Sequence, residues 1–334
     1  MPHAHVLSGS LISSGSMNAD KLSLDLQFSA DRSLTARKGP TPSFSRASAA
    51  SYIGSDGLIK SSAINEPRFD FDPSTLICNG LLIEETRTNL LFPSDTLTTQ
   101  TRTVTATAHT LSFYGTGTIA LSGVSIATVT GTGAYPTKTT LTFTPTAGSL
   151  ILTVTGSVVF AQLEAGAFPT SYIPTTTTSL TRSADVCSIS SISSFYNSTE
   201  STFFAEILVA SASNYNSIIV FDNGVSNEQI GITAFPSPNT LNNYVVSGSS
   251  TQAATALSFT TNTFIKVASS SKLNSFQLSL NGYIGTKDTY GIMPTVDRMN
   301  IGSSWNGNKI NGYIKSIKIY QKAMTDAKLQ ILTT

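Results

Sequence analysis

Charge is scarce in this chain. Charged residues make up 12% of it, against roughly 25% in an average soluble protein. The 20 basic and 19 acidic residues leave a net charge of +1. They form no basic stripe and do not interleave with aromatics, which argues against nucleic acid as a partner. Histidine occurs three times, as His3, His5 and His109, so a Ser/His/Asp site has few bases to draw on. No apolar run approaches the roughly 18 residues of a membrane span. The opening MPHAHVLSGSLISSGSM lacks a basic n-region and a sustained apolar stretch, so no secretory signal is expected. The product is expected to stay in the cytoplasm where it is made, or to leave by assembly or lysis. Two cysteines, Cys78 and Cys187, are expected as buried free thiols rather than as a disulfide.

What the chain has instead is β-branched and hydroxyl-bearing residues around ample apolar ones. Hydrophobic residues reach 40%, enough for cores, and abundant Thr and Ser suit a pleated surface facing water. In KLSLDLQFS, Leu22, Leu24, Leu26 and Phe28 alternate with polar residues, the period of a half-buried strand. Asp56-Gly57 and Asn281-Gly282 stand between apolar runs and predict tight hairpins, because such turns need positive φ. Leu141 and Phe143 alternate with Thr, as do Leu150, Leu152 and Val154. Turn signals recur at the roughly 8–12-residue spacing of an antiparallel sandwich. The one convincing helix signal is MTDAKLQIL near the C-terminus, with Thr325 as N-cap.

The expected fold is all-β: two antiparallel β-sandwiches, jelly-roll-like, in series after an extended N-terminal docking region. Residues 1–20 read as an N-terminal arm held by a larger assembly, and 21–90 as a β-rich docking and attachment region. Residues 91–175 read as a first sandwich, 176–186 as a linker or seam, and 187–334 as a second sandwich. The seam question turns on AQLEAGAFPTSYIPTTTTSLTRSADV. Pro169 and Pro174 stop strand pairing, and the threonines are few and follow Tyr172 and Ile173. That favours an ordered seam over a mucin-like stalk.

Three passages resemble known proteins. PSFSRASAASYIGSDGLIKSSAINEPRFDFDPSTLICNGLLIEETRTNLL is similar to a segment near the start of tailed-bacteriophage virion proteins. Phe44, Arg46, Ala47, Ser48, Pro67, Arg68, Phe69, Asp70, Asp72, Pro73, Gly80 to Glu85 and Arg87 to Asn89 carry the match. QLEAGAFPTSYIPT with the later TRSAD resembles the continuation in the same proteins. MNIGSSWNGNKINGYIKSIKIYQKAMTDAKLQIL resembles the end of a laminin-G-like, concanavalin A-like domain. The resemblance implies a virion component made in the host cytoplasm: a tail fibre, head fibre or capsid decoration, commonly homotrimeric. It implies attachment to capsid or tail proteins through the N-terminal arm. Rival readings are a pure capsid cement or tail adaptor, and a bacterial cell-surface lectin or adhesin.

No catalytic set is expected. Glycoside hydrolysis needs two carboxyls facing one sugar bond. Glu206 stands alone on its strand, Asp222 falls at a turn, and Glu84-Glu85 would face opposite ways if extended. Glycine runs such as GTGTIALSG lack the Lys-Ser/Thr of a phosphate loop. No cofactor is expected. Asp222-Asn223 as a calcium site, and His3 with His5 as metal ligands, are outweighed by a turn role and by a solvated or docked arm. The remaining chemistry is host surface polysaccharide. Trp305 in GSSWNGNK, flanked by Ser304, Asn306 and Asn308, offers an indole plate among amides and a hydroxyl. Tyr114 is a second candidate.

Overall fold

The computed structural model describes residues 20–211, 215–236 and 238–334. The N-terminal arm, with His3 and His5, lies outside the described residues apart from Asp20. The fold is all-β, as the alternation predicts. Two sheets of eight and seven strands form the larger sandwich, and sheets of four and three strands form the smaller.

The eight-stranded sheet is built on the long strand Gly312–Tyr320. One edge of that strand pairs with Glu200–Val209. Its other edge is shared: Gly312, Tyr313 and Ile314 pair with Ile83, Leu82 and Leu81, while Ile317 to Tyr320 pair with Leu26 to Leu22. Facing it, the seven-stranded sheet runs from Ser43–Ser45 through Val186–Ile189 to Ser250–Ser258 at the far edge. Inward-pointing Phe203, Ile207, Phe221, Ile232, Val267, Leu278, Ile301 and Ile317 fill the space between, all fully buried. The expected C-terminal helix, Asp326–Thr333, closes one side by packing Leu329 and Leu332 with Phe204 and Tyr320. Thr325 occupies its N-cap position, but the hydroxyl makes no capping hydrogen bond.

The sequence sets residues 21–90 apart as a docking region; in the structure this segment is interleaved with the C-terminal half. Leu22–Leu26, Ser43–Ser45, Phe69–Phe71 and Cys78–Ile83 are all strands of the larger sandwich. The physical reason lies in Leu24, Leu26, Leu81 and Ile83. They need a core to cover them, and the open edge of Gly312–Tyr320 offers both that core and unpaired backbone groups.

The smaller sandwich is therefore inserted into the larger. Gln100–Val104, Thr118–Gly123, Ala127–Thr130 and Gly148–Thr155 make one sheet, and His109–Tyr114, Thr139–Phe143 and Val159–Ala165 the other. Leu111, Phe113, Ile119, Leu150, Leu152 and Leu163 meet between them. The chain leaves through Arg87–Asn89 and returns through Leu180–Arg182, and these two short strands pair as a neck. Asn89 fastens that neck. Its Nδ2 donates to the carbonyls of Ala161 and Ile173, and its Oδ1 accepts from the backbone N–H of Leu91 and of Leu163.

Both cysteines are free and buried. Both predicted hairpins form, with Gly57 at φ 74° between Ala50–Ile53 and Ile59–Ser62, and Asn281 and Gly282 at φ 47° and 78° after Ser275–Leu280.

Candidate functional site: a cleft where the two sandwiches meet

The irregular strings that link the sandwiches converge on one buried charge network. Arg68 reaches Asp185 Oδ2 through Nη2 at 2.6 Å and Glu84 Oε2 through Nη1 at 2.8 Å. Arg46 Nη1 takes the other Asp185 oxygen at 3.1 Å, and Arg182 Nη1 lies 3.0 Å from Glu84 Oε2. All five residues are buried. Each carboxylate also accepts from the backbone: Asp185 from the Glu84 N–H, and Glu84 from the Ser171 N–H and hydroxyl. Burial works against the ionised Glu84, but Arg182, Arg68 and the Ser171 hydrogen bonds outweigh it and hold its pKa at about 2. Charges withdrawn from water are tolerated only when paired and hydrogen-bonded in this way. The passage through Pro169 and Pro174 is tied to both sandwiches by hydrogen bonds. Thr170 and Ser171 donate to Glu164 and Glu84, and the Thr175 hydroxyl donates to the Leu91 carbonyl.

Above this network lies a cleft of about 480 Å³, bounded by both sandwiches and by the Ala50–Ser62 hairpin. Asp70, Glu84, Tyr114, Lys138, Tyr172 and Tyr313 line it. That volume and that mixture of aromatic walls with a few convergent polar groups are typical of small-molecule sites. Two contacts join the Ala50–Ser62 hairpin to the inserted segment: the Tyr135 hydroxyl donates to the Gly57 carbonyl, and the Ser51 hydroxyl to the Tyr172 carbonyl. The rings support one another, with Tyr114 at 5.2 Å from Tyr135 and 6.2 Å from Phe160, and Phe160 at 5.5 Å from Tyr172.

Asp70 is the titratable group of the cleft. Burial pushes its pKa up to about 6, against the hydrogen bonds from the Ile53 N–H, at 2.6 Å, and from Tyr313. Burial and the nearby Asp70 charge raise Tyr114 to about 12 and Tyr313 well above its ordinary value. Lys138 lines the cleft and is itself exposed. Burial by the surrounding walls pulls its pKa down, while Glu164, Glu84 and Asp70 oppose the shift. Perturbed groups gathered in a concavity mark a functional candidate on physical grounds.

The five residues singled out from the sequence do not form one site. Tyr114 is buried in the cleft wall. Trp305 stands exposed on a separate turn with Ser304, Asn306 and Asn308, none of which lines the cleft. That turn is largely self-contained: Asn306 Oδ1 accepts from the Ser304 hydroxyl at 2.5 Å and from the Asn308 N–H, and the Gly307 N–H donates to the Ser304 carbonyl. Asp222 accepts from the Gly224 N–H and from Asn300 Nδ2. Among the described residues no group of three or more His, Cys, Asp or Glu side chains is placed to hold a metal.

Sequence reasoning passed over Lys138, Tyr172 and Tyr313 as site residues. Lys138 did carry a signal, since it is the one charged residue between Arg102 and Glu164.

Neither the models of known protein families nor the curated protein sequences match this chain. Among solved structures the chain is similar to the CBM40 of the Ruminococcus gnavus IT-sialidase bound to α2,3-sialyllactose, at 12% identity and TM-score 0.36 over 41% of this chain and 84% of that one. It is similar to domain 4 of AbnA, a GH43 extracellular arabinanase from Geobacillus stearothermophilus in complex with arabinotriose, at 12% identity and TM-score 0.37 over 50% of this chain and 81% of that one. A leech intramolecular trans-sialidase is similar at 17% identity and TM-score 0.32, over 41% of this chain and 23% of that one. Likeness of this size defines neither a shared site nor a shared ligand, and the reading of the cleft rests on its own geometry.

Proposed function

We propose that this chain is a non-catalytic structural protein of a bacteriophage particle, a fibre or surface decoration, that binds a saccharide of the host envelope in the cleft between its sandwiches. The observation that carries the binding role is the cleft itself: tyrosine walls around carboxylate, ammonium and amide groups. Sugars present apolar ring faces to aromatic plates and hydroxyls to such polar groups. The phage assignment rests on the resemblance of the linking strings, whose Arg46, Arg68, Glu84 and Asp185 build the network beneath the cleft. A homotrimer attached to capsid or tail proteins through the N-terminal arm belongs to the same proposal.

Three features support a binding rather than a catalytic role. Glu84 is held ionised by two arginines and has no proton to give. Glu164 is fully buried and hydrogen-bonded to Gln162 and Thr170. Asp72 is tied into its own turn by Ser74 and Thr75, so Asp70 lacks the second free carboxyl that glycoside hydrolysis requires.

The test is binding of the full chain to purified host envelope polysaccharide, beside Asn79→Trp, which fills the cleft from its lining, and Trp305→Ala. Saturable binding lost in Asn79→Trp and kept in Trp305→Ala is the expected result. The reverse pattern moves the site to the exposed turn. No binding at millimolar sugar by the folded protein leaves the capsid-cement reading. Sedimentation of the same sample tests the trimer.

A further inference from the structure

We infer that the saccharide is acidic, with its carboxylate held by the Lys138 ammonium; this rests on the saccharide reading of the cleft. Lys138 is the one cation among the residues that line it. Among the described residues it makes no ion pair and donates no hydrogen bond, and its Nζ stands 5.8 Å from the Tyr114 ring centroid. The carboxylates of the cleft are committed elsewhere. Glu84 faces Arg68 and Arg182. Asp72 accepts from the backbone N–H of Ser74 and of Thr75 and from the Thr75 hydroxyl, within its own turn. Asp70 accepts from Ile53 and Tyr313.

The three guanidiniums under the cleft floor, from Arg46, Arg68 and Arg182, are balanced by the carboxylates of Glu84, Asp185 and the nearby Asp70, which leaves Lys138 as the cation that an anion in the cleft would meet. Lys138 sits on a held stretch of backbone. It precedes the strand Thr139–Phe143 and follows the turn that Tyr135 pins to Gly57. An ammonium that lines a cleft and makes no ion pair is the arrangement that an incoming carboxylate completes, and charge-assisted bonds of this kind are roughly twice as strong as neutral ones.

The experiment titrates the full chain, by ligand-observed NMR at pH 7, with D-glucuronate, D-galacturonate and N-acetylneuraminate. It compares them with D-glucose, D-galactose and N-acetylglucosamine, with acetate as the control for a bare carboxylate. At least one acidic sugar is expected to bind about tenfold or more tightly than the neutral sugars and acetate. Lys138→Met is expected to abolish that preference while a neutral sugar still binds; Lys138→Arg is expected to keep part of it. Equal affinity for acidic and neutral sugars, a preference that survives Lys138→Met, or acetate binding as tightly as the sugar acids overturns the inference and leaves the saccharide reading standing. If no sugar binds the folded protein, both fall.

Discussion

Arg68 and Asp185, which lie 117 positions apart, meet at 2.6 Å with both side chains fully buried. The contact joins the chain before the inserted sandwich to the chain returning from it. It holds the point where two β-bodies become one framework, and the cleft stands directly above it.

Removing one partner from this network leaves an uncompensated charge in the interior, which is far more damaging than its net contribution suggests. Glu84→Gln leaves Arg182 without its carboxylate partner and Arg68 with Asp185 alone, and is expected to destabilise the protein by about 3–5 kcal/mol in urea unfolding at pH 7. The depressed Glu84 pKa adds a signature. Its stabilisation is present above the unfolded value near 4.5 and is lost as pH falls toward about 2. The gap between wild type and Glu84→Gln therefore closes across that window. A gap independent of pH between about 4.5 and 2 contradicts the assigned ionisation.

Asp70 has the opposite sign. Its folded pKa of about 6 exceeds the unfolded value near 4, so the folded state holds the proton more tightly. This favours folding at low pH, and the advantage is lost as pH rises from about 4 to about 6. Asp70→Asn removes that slope and is expected to gain up to about 2–3 kcal/mol relative to wild type at pH 7. Parallel stability curves for the two proteins between pH 4 and 7 contradict this.

Gly80 lies in the strand Cys78–Ile83 at φ 99°, where an added Cβ would stand 2.2 Å from the Ile314 carbonyl oxygen. Gly80→Ala forces this backbone apart and is expected to cost about 2 kcal/mol or more. Gly248, at φ 58° with open space around it, is the control. Gly248→Ala is expected to cost about 1–2 kcal/mol, the backbone term alone. Equal losses in thermal unfolding rule out the close approach at Gly80.

Trp305 stands 43% exposed on a turn held by its own hydrogen bonds. Trp305→Ala is expected to change stability by about 1 kcal/mol or less. A larger loss on thermal unfolding identifies the indole as a packing residue rather than an available surface.

The local rules read the elements well and the connections poorly. Alternating Leu24 and Leu26 predict a strand, and Asn281-Gly282 predicts a turn, because both depend on neighbours within a few residues. The partner of Leu22–Leu26 is the strand Gly312–Tyr320, nearly three hundred positions away, and no local pattern names it. Likewise, FxRAS, PRFD, GLLIEE and TRSAD stand out as irregular strings that carry charge. That their Arg46, Arg68, Glu84 and Asp185 neutralise one another is a fact of three-dimensional closure.

The candidate site divides the same way. Trp305 drew notice because a lone tryptophan among asparagines is visible in any reading of the chain. Lys138, Asp70 and Tyr313 come from three distant segments and acquire their chemistry only when the inserted sandwich folds back on the larger one. The sequence by itself determined an all-β chain, its strands, its tight turns and its free thiols, since these follow from side-chain period and backbone preference. The tertiary structure decided which strands share a sheet, which charges cancel and where a cleft remains. Those depend on long-range packing and desolvation, which act only once distant segments meet.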